Sequence, residues 1–113
     1  MVLVNLTPHD IVVFPETENE IVVPRSGMVV RCLSTREVVG SLDVNGVSIP
    51  VTKVVLGENQ DLPEPEDGTM YIVSLATALR AAKDGRVGDL LVPDLTVRNA
   101  NGKIIGCNGL ARQ

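Results

Sequence analysis

Gly68-Thr-Met-Tyr-Ile-Val-Ser-Leu-Ala-Thr-Ala-Leu-Arg-Ala-Ala-Lys-Asp-Gly85 is the stretch on which the fold turns, because it holds the one segment of the chain with helical spacing. Residues 69–73 are rich in β-branched and aromatic side chains and follow Asp67-Gly68, so they read as a strand. Ser74 can then accept from the open amides of the next turn, and residues 75–82 are mostly good helix formers. Leu75, Ala78, Leu79 and Ala82 recur at i, i+3, i+4 and i+7, an apolar stripe that leaves Thr77, Arg80 and Lys83 elsewhere on the wheel. Gly85 supplies a left-handed cap, and Lys83 sits where the helix dipole favours a cation. A helix this short needs a sheet to lie against, and Ala78, Ala81 and Ala82 would let it come close.

Working outward, both flanks read as strand and turn. Residues 2–6 and 11–14 are apolar strands separated by Thr7-Pro-His-Asp10, and 20–23 pairs with the second across an acidic turn at 15–19. After a turn at 24–27 come strands at 28–33 and, more weakly, 34–42. Asn45-Gly46 then marks a two-residue hairpin turn into 47–56, where Pro50 implies an edge or a bulge. Residues 57–68, with five carboxylates and two prolines, form a solvated loop. Beyond the helix lie a loop at 86–88, a buried strand at 89–94 ended by Pro93, and a hairpin of 95–99 with 103–107 around Asn101-Gly102. A short tail follows that can act as an edge strand. The expected fold is one α+β domain over 1–113: a mainly antiparallel β-sheet, one short helix packed on it, and a C-terminal β-hairpin, without alternating βαβ units.

A chain of 113 residues can bury roughly two thirds of its unfolded surface. With one Phe, one Tyr and no Trp, its core must be aliphatic. The net charge of −4 argues against non-specific binding to DNA, which needs a basic footprint. It leaves room for a small anionic ligand, and seven of the ten basic residues are Arg, the side chain suited to forked phosphate contacts. Cys32 and Cys107 have apolar neighbours and no metal-like spacing, so two buried, reduced thiols are expected. No leader and no membrane-spanning run is evident, which points to the cytoplasm.

No catalytic or metal signature emerges. The single His9 lies in a turn beside Asp10, no serine occupies a nucleophile elbow, and the acidic loop lacks a calcium pattern. The better signal is arginine inside or beside apolar strands: Arg31, Arg98 and Arg112, with Thr7, His9 and Asn99 in turns nearby. Each alone is an ordinary outward-facing strand residue. Together they outline an anion pocket.

Five blocks, at 5–11, 24–31, 68–74, 89–94 and 97–106, resemble the first type of phage Thoeris anti-defence proteins, the cyclic ADP-ribose sponges. The resemblance implies a non-enzymatic protein, without cofactor, that sequesters a cyclic nucleotide immune signal in the host cell cytoplasm. The ligand would be a cyclic ADP-ribose isomer or a cyclic oligonucleotide. It also implies a homo-oligomer, a dimer or a hexamer, with pockets shared between protomers. Arg31, Arg98 and Arg112 match the arginines that hold the pyrophosphate, and Asn99 matches a polar group. Where the family carries an aromatic for the base, this chain has Leu90 and Leu91, and Tyr71 or Phe14 are the aromatics available instead. The other readings are a small phage structural or protein-interaction module and, with least support, a hydrolase using His9.

Overall fold

The computed structural model describes residues 1–16, 19–86 and 88–113. The turn expected at 15–19 and the loop at 86–88 therefore lie partly outside the described residues. The rest form β1 (Val2–Asn5), β2 (Ile11–Val13), β3 (Ile21–Val23), β4 (Arg31–Val44), β5 (Val47–Gln60), β6 (Thr69–Ile72), α1 (Leu75–Lys83), β7 (Leu90–Arg98) and β8 (Ile104–Ala111). Strand makes up 55% of the chain and helix 8%, so the molecule is α+β-like and dominated by sheet.

The main sheet runs β1-β6-β7-β8-β2-β3 and is only partly antiparallel. β1 with β6, β6 with β7, and β2 with β8 are parallel, whereas β2 with β3 and β7 with β8 are antiparallel. This corrects the sequence expectation. The order β6-α1-β7 is a crossover, because nine helical residues suffice to carry the chain back and start β7 parallel to β6. The sheet curls into a nearly closed barrel whose end strands approach at the Asn5–Arg25 bridge, where Ser26 N donates to Asn5 O at 3.0 Å.

Strand alternation fixes the faces. Val4 and Leu6, Tyr71 and Val73, and Leu90 and Val92 share one side and pack with Ala78 and Ala81 of α1, while Asn5 and Ile72 turn the other way. The cap geometry is as the sequence implies: Ser74 accepts from Thr77 N, and Gly85 has φ 91°. The buried helix face is so only in part: Ala78 and Ala81 come close as expected, and the leucines do not. Thr77, Ala78 and Ala81 are buried, whereas Leu75 and Leu79 are about half exposed. Close approach of the helix to the sheet selects the small side chains, and Asn59 Nδ2 donates to Thr77 O at 3.1 Å to fix that rotation.

β7 is one strand, not two: Pro93 lies inside it opposite Leu110, and Leu95 absorbs the bend with φ 59°. β8 likewise extends through the expected tail to Ala111, and β5 runs on to Gln60 into the expected loop. Both cysteines are free thiols; Cys107 is buried, but Cys32 at the base of β4 is only partly so.

β4 and β5 stand apart as a two-stranded antiparallel ribbon of 14 residues per strand, turned at Asn45-Gly46 with both residues at positive φ. Every residue from 33 to 55 is exposed, and the ribbon meets the body at its base, where Arg80 donates to Leu56 O.

Candidate anion-binding site

The Thr7–His9 turn is built around Asn5. Its Nδ2 donates to His9 O at 2.7 Å and Val23 O at 3.0 Å, and its Oδ1 accepts from Thr7 N at 2.9 Å and Thr7 Oγ1 at 2.7 Å. An Asn has two donors and two acceptor lone pairs, so its capacity is filled. Arg25 reinforces the turn from β3's side, donating from its backbone to Asp10 and from its side chain to Pro8 O. Thr7 therefore spends its hydroxyl within the turn, and His9 contributes its carbonyl to this network while remaining exposed.

The three arginines do not gather at one point. Val92 pairs with Ala111 and Arg98 with Ile104, so Arg112 and Arg98 lie at opposite ends of the β7–β8 ladder, roughly 20 Å apart at ~3.4 Å per residue. Arg98 donates to Gly102 O at 2.8 Å, and Asn99 accepts from the amides of Asn101 and Lys103, so both shape the β7–β8 turn. Arg31 is at the other end with Arg112. Val30 N donates to Leu6 O, Leu6 N to Ile72 O, and Val73 N to Leu91 O, a row that ends at β8 beside Arg112. Arg31, Thr7, Leu91 and Arg112 thus share the rim where β1 and β6 end and α1 begins. Arg31 and Arg112 are exposed, and neither makes an ion pair among the described residues.

Tyr71 is 5% exposed and belongs to the core under α1. Its hydroxyl reaches Glu64 O at 3.4 Å, and Arg86 lies over its ring at 6.0 Å, held by a forked pair with Asp89 at 2.8 and 3.1 Å. That hydrogen-bonded guanidinium holds the Asp89 carboxyl below its ordinary range, against the opposing effect of burial. Burial pushes the Cys107 thiol up, away from thiolate chemistry.

Arg80 and Arg86, which sequence reading passed over, line a polar cleft of about 330 Å³ with Asn59, Glu58, Glu64 and Asp84. Asn59 Oδ1 is buried there without a hydrogen-bond partner among the described residues. With three carboxylates against two guanidinium groups, this cleft does not suit a diphosphate. Asn5 was also missed, although Asn two residues before Thr is the pattern of a side chain bonding its own backbone. Among the described residues, no group of three or more His, Cys, Asp or Glu is placed to hold a metal ion. Nor, among these residues, is any helix long and apolar enough to cross a membrane. No protein family, curated protein or solved structure matches the chain.

Proposed function

We propose that the protein binds and sequesters a small cyclic nucleotide of the cyclic ADP-ribose class without cleaving it, and so withholds an immune signal from a bacterial anti-phage effector. The observation that carries this reading is the pair of exposed arginines, Arg31 and Arg112, on one rim of the sheet, neither with a carboxylate partner among the described residues. They stand about four interstrand steps apart, ~19 Å along the sheet at ~4.8 Å each, which extended side chains narrow to the span of a dinucleotide. A diphosphate held between them gains charge-assisted bonds of roughly 1.5–3 kcal/mol each. Leu91, half-buried between them, gives an apolar floor where an aromatic would otherwise meet the base. Arg98 and Asn99, at the far end of the ladder, take part only across an interface with a second copy.

Calorimetry with cyclic ADP-ribose isomers tests the reading. Arg31→Ala and Arg112→Ala should each weaken binding by about 2–5 kcal/mol, the usual cost of truncating one partner of a desolvated charged pair. Ligand recovered after heating the complex should be intact. A melting temperature unmoved by every nucleotide tried would defeat the proposal, since a ligand of the folded state must raise it. A second reading, a protein-interaction module, is favoured by the exposed β4–β5 ribbon.

A further inference from the structure

The chain contains three Asn-Gly steps, Asn45-Gly46, Asn101-Gly102 and Asn108-Gly109. A glycine has no Cβ, so its backbone nitrogen is the one least shielded from the side-chain amide of the residue before it. The local chemistry is alike at all three steps, and the fold decides which of them can react. Attack of the glycine nitrogen on the asparagine amide needs an N–H free of other bonds, an untied side chain, and a backbone able to leave its native angles.

The β7–β8 turn ties both the nucleophile and the backbone around it. Gly102 N donates to Asn99 O at 2.9 Å, and Asn99 N donates to Lys103 O at 2.9 Å. Asn99 Oδ1 accepts from Asn101 N at 2.9 Å and Lys103 N at 3.0 Å, and Arg98 donates to Gly102 O at 2.8 Å. Asn108 lies within β8, where its Nδ2 donates to Phe14 O at 3.0 Å and Gly109 stands in the ladder opposite Asp94. The ribbon tip has none of these ties. Among the described residues, no hydrogen bond holds the Asn45 side chain or the Gly46 N–H, and the ladder stops at Val44–Val47. Every residue from 33 to 55 is exposed, so no packing holds the tip either. Asn45 rests at φ 51° and must leave that left-handed conformation to react. Only the last pair, Val44–Val47, has to open for it to do so, at the free end of a two-stranded ribbon that is marginal in water.

We propose that Asn45 is a site of spontaneous covalent modification, losing its side-chain amide through a succinimide ahead of Asn101 and Asn108. Hydroxide takes the Gly46 amide proton, and the nitrogen attacks Asn45 Cγ. The new N–Cγ bond closes a cyclic imide as the bond from Cγ to the side-chain nitrogen breaks. That nitrogen leaves as ammonia with a proton from water, which returns the hydroxide. Water then opens the ring at either carbonyl, giving aspartate from one and isoaspartate from the other, and no oxidant or reductant takes part. Either product places a new carboxylate near Asp43 at the tip. Isoaspartate also adds a carbon to the backbone, which a two-residue hairpin turn does not accommodate. Each hydrogen bond that must open first lowers the reactive population about two- to tenfold, so the extra bonds at Asn101 and Asn108 set the order. The inference is independent of any nucleotide.

Timed incubation of the full chain in mildly alkaline buffer, followed by peptide mapping in a mass spectrometer, tests it. Wild type should gain aspartate and isoaspartate at position 45 first, about tenfold ahead of positions 101 and 108, with ammonia released in step. Asn45→Gln, whose longer side chain has to close a larger ring, should lose that early signal. Asn99→Ala, which frees the Asn101 and Lys103 amides, should speed the reaction at Asn101 by about two- to tenfold. In concentrated guanidinium chloride all three steps are equally free, and their rates should converge. A folded protein in which Asn101 or Asn108 reacts as fast as Asn45 overturns the proposal. So does a tip that stays intact while the denatured chain is modified. The same tenfold order in the denatured chain would overturn it too, because the cause would then lie in the sequence and not in the fold.

Discussion

Asn5 holds three segments together with one side chain: its own strand, the turn that follows it, and β3 across the barrel seam. Asn5→Ala strands buried partners on each, so we expect a loss of about 2–4 kcal/mol in urea denaturation, from several unpaired groups at ~1–3 kcal/mol apiece. A change below 1 kcal/mol would show that water replaces the amide. Asp89 carries a different signature. Its carboxyl, lowered in the fold chiefly by the Arg86 hydrogen bond, stabilises the protein fully above its ordinary value of 3.8. That contribution fades as pH falls through the lowered folded value. Asp89→Asn should therefore be less stable than wild type at pH 7, by roughly 1–3 kcal/mol, and the gap should narrow as pH falls below 3.8. A gap that is constant with pH would refute the pairing. Neither residue stood out in sequence. Asn5 lies in an apolar run, and the Arg86–Asp89 pair crosses a loop whose course no periodicity dictates.

Among the elements, α1 was legible at its ends and only partly legible around its axis. Ser74 and Gly85 are local signals that act within one turn, and the fold uses both. The facing side was decided from outside the helix, by how closely β5 and β7 let it approach. Leucine spacing alone pointed to Leu75 and Leu79, but the contact takes Ala78 and Ala81 and swallows Thr77. Ala81→Leu should then cost about 1–3 kcal/mol through overpacking. Leu79→Ser, on the half-exposed side, should change stability by ~0.5 kcal/mol or less. Chemical denaturation of the two variants decides between the faces, and the reverse order would favour the leucine stripe. The hairpin turns at Asn45-Gly46 and Asn101-Gly102 were readable for the same reason as the caps: both glycines sit at positive φ.

At the scale of the molecule, strand positions were largely readable and their pairing was not. Antiparallel hairpins announce themselves because the turn is next to what it joins. The β1–β6 and β2–β8 pairs join segments from opposite parts of the chain, and nothing local encodes them. The relative placement of the arginines was unreadable on the same ground: Arg98 and Arg112 are close in sequence yet lie at opposite ends of one ladder. The ribbon, by contrast, contributes little to the body. Replacing residues 38–52 by Asn-Gly, so that Glu37 and Lys53 flank the new turn, should leave body stability within ~1 kcal/mol of wild type, since only exposed residues are removed. Loss of cooperative unfolding in that variant would show that the ribbon is needed to fold the chain that bears it.

The β2–β8 seam also sets an order of events during synthesis. Asn108 donates to Phe14 O, 94 residues away, so the barrel cannot close until nearly the whole chain has been made. The ribbon has no such wait. Its strands are joined by a two-residue turn, and hairpins of this kind form in about 1–10 μs. At ~5–20 residues per second, several seconds separate its emergence from that of Ile104, Ile105 and Cys107. Throughout that interval a nascent chain displays its aliphatic ribbon before the strand that closes the barrel has been translated. Chains on one message are exposed to one another, and to chaperones, through the element that emerges first.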